Sequence, residues 1–103
     1  MGKRIELSRA QIVCYVSKSP GAYLLICRPD KVIYVGRSDT DLQGRQLDHL
    51  PENEEKPCIR THGPQEVYFE HTVDAWAAYR LECEWYQKYR PDCNDVPPNE
   101  PSS

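Results

Sequence analysis

Apolar and polar positions along this chain switch between two periods, and the switches mark its elements. Ala22-Tyr23-Leu24-Leu25-Ile26-Cys27 and Val32-Ile33-Tyr34-Val35 are short apolar runs separated by Arg28-Pro29-Asp30-Lys31. Two such runs around a Pro-Asp turn predict a hairpin. With an even loop, Leu25 lies opposite Tyr34 and Tyr23 opposite Gly36. The two tyrosines are then diagonal neighbours on one face, about 7–8 Å apart. An odd loop puts them on opposite faces. Residues 66–72 alternate as a third strand. Upstream, Ile12-Val13-Cys14-Tyr15-Val16 reads either as a short helix capped by Ser8 or as a strand, followed by a turn over residues 17–20.

Residues 74–90 follow the helical period, with Asp74 as N-cap and Pro91 as stop. At about 100° per residue, Ala75, Ala78, Tyr79, Trp85, Tyr86 and Tyr89 lie within roughly 60° of Glu82. Arg80, Glu84 and Gln87 lie opposite, and Trp76 falls on the polar side. A carboxylate on an apolar face costs several kcal/mol unless it is paired, protonated or bound to a metal. A shorter helix is predicted over residues 40–50, capped by Asp39 or Ser38 and ended by Pro51. Gly44 weakens it by about 1 kcal/mol relative to Ala. Residues 51–64 read as a charged loop. The expected fold is α+β, a small three-stranded antiparallel sheet flanked by helices. Residues 1–20 form an N-terminal extension (short helix or strand), 21–94 the domain, and 95–103 a Pro-rich disordered tail.

At 103 residues the chain makes one domain with one modest core. Its net charge of −3 hides an asymmetry: residues 1–50 hold eight Lys/Arg against five Asp/Glu, and residues 51–103 five against eleven. A nucleic-acid binder usually carries a basic surface overall, so a basic patch here must be local to the first half. No signal-peptide or membrane-spanning run is present, which predicts a soluble, intracellular, cytoplasmic protein with no membrane partner. Five cysteines without a C-x-x-C pair argue against a disulfide framework or a zinc ribbon and predict ordinary reduced thiols. Cys58 and His62 have a ligand spacing, but two ligands do not make a site.

One spacing is more specific. Gly21-Ala22-Tyr23, ten residues, then Tyr34-Val35-Gly36 resembles the paired motifs that name the GIY-YIG nuclease family, with Ala and Val in place of the two isoleucines. Arg37 occupies the basic position that follows the second glycine. Leu42-x-x-Arg45-x-x-x-His49 is similar to the family's first helix. Leu81-Glu82, followed by Tyr89-Arg90-Pro91-x-x-Asn94, resembles its closing motif, where a helix carries a metal-binding glutamate.

The resemblance implies a metal-dependent endonuclease that hydrolyses phosphodiester bonds, with DNA ahead of RNA as substrate. Such chemistry needs an activated water and neutralised charge at phosphorus. Glu82 would hold a single Mg²⁺ or Mn²⁺, hard ions suited to a carboxylate, waters and phosphate oxygens. Arg45 would grip the scissile phosphate with its planar fork, and Arg37 would add a second positive charge. Tyr23 or Tyr34 would relay the proton from water. Gly21 and Gly36 would permit close backbone approach, His49 would hydrogen-bond within the site, and Asn94 would steady the glutamate. Tyr23, Tyr34, Arg45 and Glu82 are expected to converge on one face of the sheet. The alternative is a catalytically silent module of this fold that binds nucleic acid or a protein partner; for Glu82 itself, the structural alternative is a salt bridge to Arg45. A partner protein or a homodimer would supply specificity to so small an enzyme.

Overall fold

The computed structural model describes residues 2–101. Eight elements follow in order: β1 (Lys3–Glu6), α1 (Arg9–Tyr15), β2 (Gly21–Cys27), β3 (Lys31–Ser38), α2 (Leu42–Leu47), α3 (Pro57–His62), β4 (Glu66–His71) and α4 (Ala75–Tyr89). The sheet has four antiparallel strands in the order β1-β4-β2-β3, not the expected three. The added strand is β1, whose four residues carry one buried side chain, Ile5, too little alternation to stand out in the sequence. The apolar cluster resolves as helix through Tyr15, with Val16 as its extended C-cap: Ser8 accepts from Gln11 N, and Ile12 is wholly buried.

The sheet separates two apolar layers. Ile5, Tyr23, Leu25, Tyr34, Val67 and Phe69 pack with Ile12, Leu42 and Ile59, from α1, α2 and α3. Ala22, Leu24, Ile26 and Val35 pack against Trp85 of α4. Central strand β2 is therefore covered on both faces, which is why it reads as an unbroken apolar run. Full burial of each large aliphatic side chain contributes roughly 1.5–3 kcal/mol. No helix among the described residues is long and apolar enough to cross a membrane.

The hairpin register decides where the tyrosines go. Cys27 pairs with Lys31, which leaves a three-residue loop, odd in number. A bulge between Leu25 and Ile26 adds one residue on β3, so that Ile26 pairs with Val32 but Leu25 with Tyr34. Tyr23 then lies opposite Gly36, and both tyrosines join the same layer, ring centroids 6.2 Å apart.

Three local expectations need correction. Asp41, not Asp39 or Ser38, caps α2, accepting from Gly44 N at 2.9 Å; Ser38 Oγ instead accepts from Asp41 N and shapes the turn before it. The charged stretch 51–64 contains α3, which starts on Pro57 and ends at Gly63 in the left-handed region (φ 59°). Cys58 and Cys93 form a disulfide, S–S 2.08 Å, where reduced thiols were expected. Only the turn of α3 brings Cys58 beside the segment after α4, so spacing alone could not show the pair. Cys14, Cys27 and Cys83 are free thiols.

Residues 95–101 form no helix or strand, and the end of the expected tail, residues 102–103, lies outside the described residues.

Candidate active site

Edge strand β3 carries side chains to both layers, and a cleft of about 390 Å³ runs along its open side. Tyr34, Gly36, Arg37, Arg45, Glu82 and Asn94 line it. Tyr34 belongs to the layer under α2, whereas Glu82 comes from α4 on the other side of the sheet. The groups therefore meet around an edge rather than on one face.

Helix α4 is set as its sequence requires. Asp74 accepts from Ala77 N at 2.8 Å, and Arg90 (φ 43°) ends the helix before Pro91. Ala78, Glu82 and Trp85 are its buried residues, so the carboxylate sits within the packed stripe. Its partner is Arg37, not Arg45: Arg37 Nη1 donates to Glu82 Oε1 at 2.7 Å, and Arg37 Nε donates to Asp39 Oδ1 at 2.7 Å. The same guanidinium lies over the Tyr79 ring, 5.2 Å from its centroid. Among the described residues, only Oε1 of Glu82 has a protein hydrogen-bond donor. Burial raises the Glu82 pKa above the usual carboxylate range; Arg37 opposes the rise, Asp39 adds to it and Arg45 opposes it.

The two tyrosines have different surroundings. Tyr23 is wholly buried, and its hydroxyl is 2.6 Å from His49 Nε2. His49 Nδ1 is in turn 2.5 Å from Glu54 Oε1. Burial lowers the His49 pKa, against the pull of Glu54, and so favours a neutral ring at pH 7. Glu54 can only accept, so the partners assign the proton to Nδ1 and leave Nε2 to accept from the Tyr23 hydroxyl. Burial also pushes the Tyr23 phenol well above its ordinary value; Tyr34 adds to the rise and Arg45 opposes it. Tyr34 lines the cleft and an adjoining hollow with Arg45 and His49. The Arg45 guanidinium extends from α2 beside both phenols, and Tyr23 first, then Tyr34, hold its pKa up against burial.

The remaining expected residues divide into lining and support. A Cβ on Gly36 would come within 2.4 Å of the Tyr23 phenol, so this glycine lets the ring lie across β3. A Cβ on Gly21 would meet the Glu70 carbonyl at 2.5 Å and Leu42 Cδ2 at 2.7 Å. Gly21 is thus a packing point between β4 and α2, and it is not among the cleft-lining residues. Asn94 does not bond Glu82. Its Oδ1 accepts from Val35 N at 2.9 Å and its Nδ2 donates to Val35 O at 2.8 Å, the way a neighbouring strand would pair with β3. Beyond Asn94, residues 95–99 border the cleft.

Sequence reading missed Asp39, Glu54 and Lys56. Asp39 is two residues from Arg37, a signal that could have been used. Glu54 sits among Glu52 and Glu55, and nothing in that run marks it as the buried one. Lys56 lines the cleft and faces Asp95 at 3.5 Å. His71 has a purely structural place: its Nε2 accepts from Ser17 N at 3.0 Å. Trp76 is partly exposed and packs edge-on against Tyr79.

An α+β domain whose central hairpin sets two tyrosines beside an arginine and a helix-borne glutamate has the layout of a GIY-YIG domain. The model of the GIY-YIG catalytic domain family matches residues 19–95, and the chain belongs to that family. The magnesium-bound GIY-YIG N-terminal endonuclease domain of UvrC from Thermotoga maritima is similar in fold, with TM-score 0.69 and 22% identity. The alignment covers 84% of this chain and 94% of that one. A point mutant of the same domain, bound to its catalytic divalent cation, aligns with TM-score 0.70 at 23% identity, covering 85% and 94%. No curated protein sequence matches the chain.

Proposed function

We propose that this protein is a metal-dependent endonuclease that hydrolyses phosphodiester bonds in DNA rather than RNA. The observation that carries the reading is the cleft at the β3 edge, where Glu82, Arg45 and Tyr34 share one opening. The donor set fits a single hard divalent ion, Mg²⁺ or Mn²⁺. Glu82 is a carboxylate with one oxygen taken by Arg37 and the other without a protein donor, in a cleft lined mainly by polar groups. When bound, such an ion supplies Lewis acidity at the phosphate and lowers the pKa of water.

The chain's own residues divide the remaining work. Arg45 offers its planar fork to the phosphate oxygens. Tyr34, at the cleft beside Arg45, acts as base once its own hydroxyl proton has gone to solvent: its phenolate oxygen takes the proton of the attacking water and ends as the phenol. Tyr23 is the poorer base, since burial holds its proton and its hydroxyl is turned to His49. His49 and Glu54 fix Tyr23 in place, and Tyr23 packs against Tyr34. Arg37 positions Glu82 instead of serving as the main phosphate contact, because its Nε and Nη1 are held by Asp39 and Glu82. Arg37, Arg45 and Lys56 line the cleft beside Asp39, Glu82 and Asp95; Arg37 and Lys56 face those carboxylates, so Arg45 is the cation offered to a phosphate. We further infer an intracellular, cytoplasmic protein, where such a substrate is at hand, with a partner protein or second copy supplying sequence or structure selectivity.

A silent module would gain from Glu82 closed against Arg45 with the tyrosines turned away; here Glu82 bonds Arg37 through one oxygen and Tyr34 lines the cleft, which favours the enzyme. The test is cleavage of single-stranded, duplex and branched DNA with Mg²⁺ or Mn²⁺, beside Glu82→Gln. Metal-dependent cutting that Glu82→Gln abolishes supports the enzyme. No cutting on any substrate, or equal cutting by the variant, rejects it.

A further inference from the structure

Away from the cleft, α3 and the segment after α4 bring together a second set of ligating groups. Cys58 and His62 are one helical turn apart on α3 and share a face. Cys93 arrives from beyond α4, buried and fixed by its backbone N–H to Ile33 O at 2.8 Å. His62 Nδ1 lies 3.9 Å from Cys58 Sγ and 3.7 Å from Cys93 Sγ, and the three ligand atoms all fall within 4.8 Å of one another. Behind the ring, His62 Nε2 is 3.5 Å from Asp92 Oδ2.

The imidazole faces both sulfurs with a carboxylate at its back, a placement that the S–S bond itself does not require. Two thiolates and an imidazole are the donor set of a soft, tetrahedral d¹⁰ cation. A carboxylate on the other ring nitrogen is the usual support of a metal-bound histidine. We infer that in the reduced protein Cys58, His62 and Cys93 bind one Zn²⁺, with Asp92 accepting the second N–H of His62, and that zinc and the disulfide are alternative ties between α3 and the segment that carries Asn94. Water takes the fourth position. His62 Nδ1, now 2.9 Å from the Cys58 carbonyl oxygen, exchanges that contact for the ion.

The two states interconvert by a balanced two-electron step. A phosphine or dithiol reductant breaks the S–S bond and delivers two electrons, and the resulting thiolates take the ion instead of protons. With hydrogen peroxide, the thiolates lose two electrons and form S–S as Zn²⁺ departs. The peroxide O–O bond takes those electrons and two protons to give two waters.

The inference does not depend on nuclease activity, and oxygen ligation at Glu82 gives no thiolate signature. Co²⁺ is the spectroscopic probe, added to the full chain after phosphine reduction, with circular dichroism to verify the fold. One equivalent should give thiolate-to-cobalt charge-transfer bands and the intense d–d bands of a tetrahedral ion, and Zn²⁺ should displace it. Cys58→Ser and Cys93→Ser should remove or halve the charge-transfer intensity. His62→Ala should shift the d–d bands, and Asp92→Asn should weaken affinity by roughly 10–100-fold. Cys58 is only partly buried, so Cys58→Ser keeps the test open if Cys93→Ser does not fold. Peroxide should then release the zinc to a chromogenic chelator. No charge-transfer band in the reduced, folded protein, or bands unmoved by His62→Ala, would overturn the inference.

Discussion

Arg37 Nη1 donates to Glu82 Oε1 at 2.7 Å, so the carboxylate proposed to hold the metal is itself held by the residue that follows the second motif glycine. Burial raises the Glu82 pKa and Arg37 counters that rise. A raised acid pKa means the metal-binding form is lost, as pH falls, earlier than it would be for an ordinary glutamate. Removing Arg37 takes away the opposing effect. Arg37→Met should therefore move the acid limb of the kcat/KM profile, and of metal affinity, to higher pH. An unchanged or downward-shifted limb contradicts this positioning role.

Tyr34 and Tyr23 should separate in kinetics. Tyr34 faces the cleft, and loss of its hydroxyl removes the proton acceptor. Tyr34→Phe should lower kcat by roughly 10²–10⁴-fold with little change in KM. Tyr23 is buried against His49, so Tyr23→Phe should cost stability through the unpaired His49 nitrogen, about 1–3 kcal/mol, and less in kcat. Rates and urea unfolding of both variants decide it. The larger kcat loss at Tyr23 would reverse the assignment.

Much of this site is legible in the sequence because it rests on local signals. The Asp74 cap and Pro91 stop fix α4, and with them the inward face of Glu82. The spacing of Tyr23 and Tyr34 places both tyrosines, although their common face depends on a bulge that compensates an odd loop. What escaped reading is non-local. β1 is a strand only because β4 offers it an edge. Glu54 is buried only because His49 reaches it, and Cys58 meets Cys93 only because α3 turns it inward. The pairing of Arg37, rather than Arg45, with Glu82 follows from strand alternation, which puts Val35 and Arg37 toward α4. That step was available once β3 was recognised as an edge.

Gly36 should tolerate no side chain while Tyr23 keeps its place. A Cβ there would come 2.4 Å from both Cζ and Oη of the phenol. The ring would have to leave its bond to His49, a cost of about 1–3 kcal/mol from overpacking. Urea unfolding of Gly36→Ala should show this loss. In the double variant with Tyr23→Leu, the two effects should be less than additive, because the shorter side chain removes the clash. Full additivity would place the cost of Gly36→Ala elsewhere.

Gln46 marks a place where stability can be gained beside the cleft. It is wholly buried on α2, next to Arg45, and neither its Oε1 nor its Nε2 has a hydrogen-bond partner among the described residues. An unpaired buried amide costs its desolvation without return, about 1–3 kcal/mol. Methionine has nearly the same length and an unbranched stem, and it presents no strong polar group. Gln46→Met should raise the urea midpoint without changing the m-value, and it should leave cleavage kinetics alone because the residue does not line the cleft. Destabilisation instead would mean that the amide is satisfied by a buried water, which methionine would evict at the cost of those bonds.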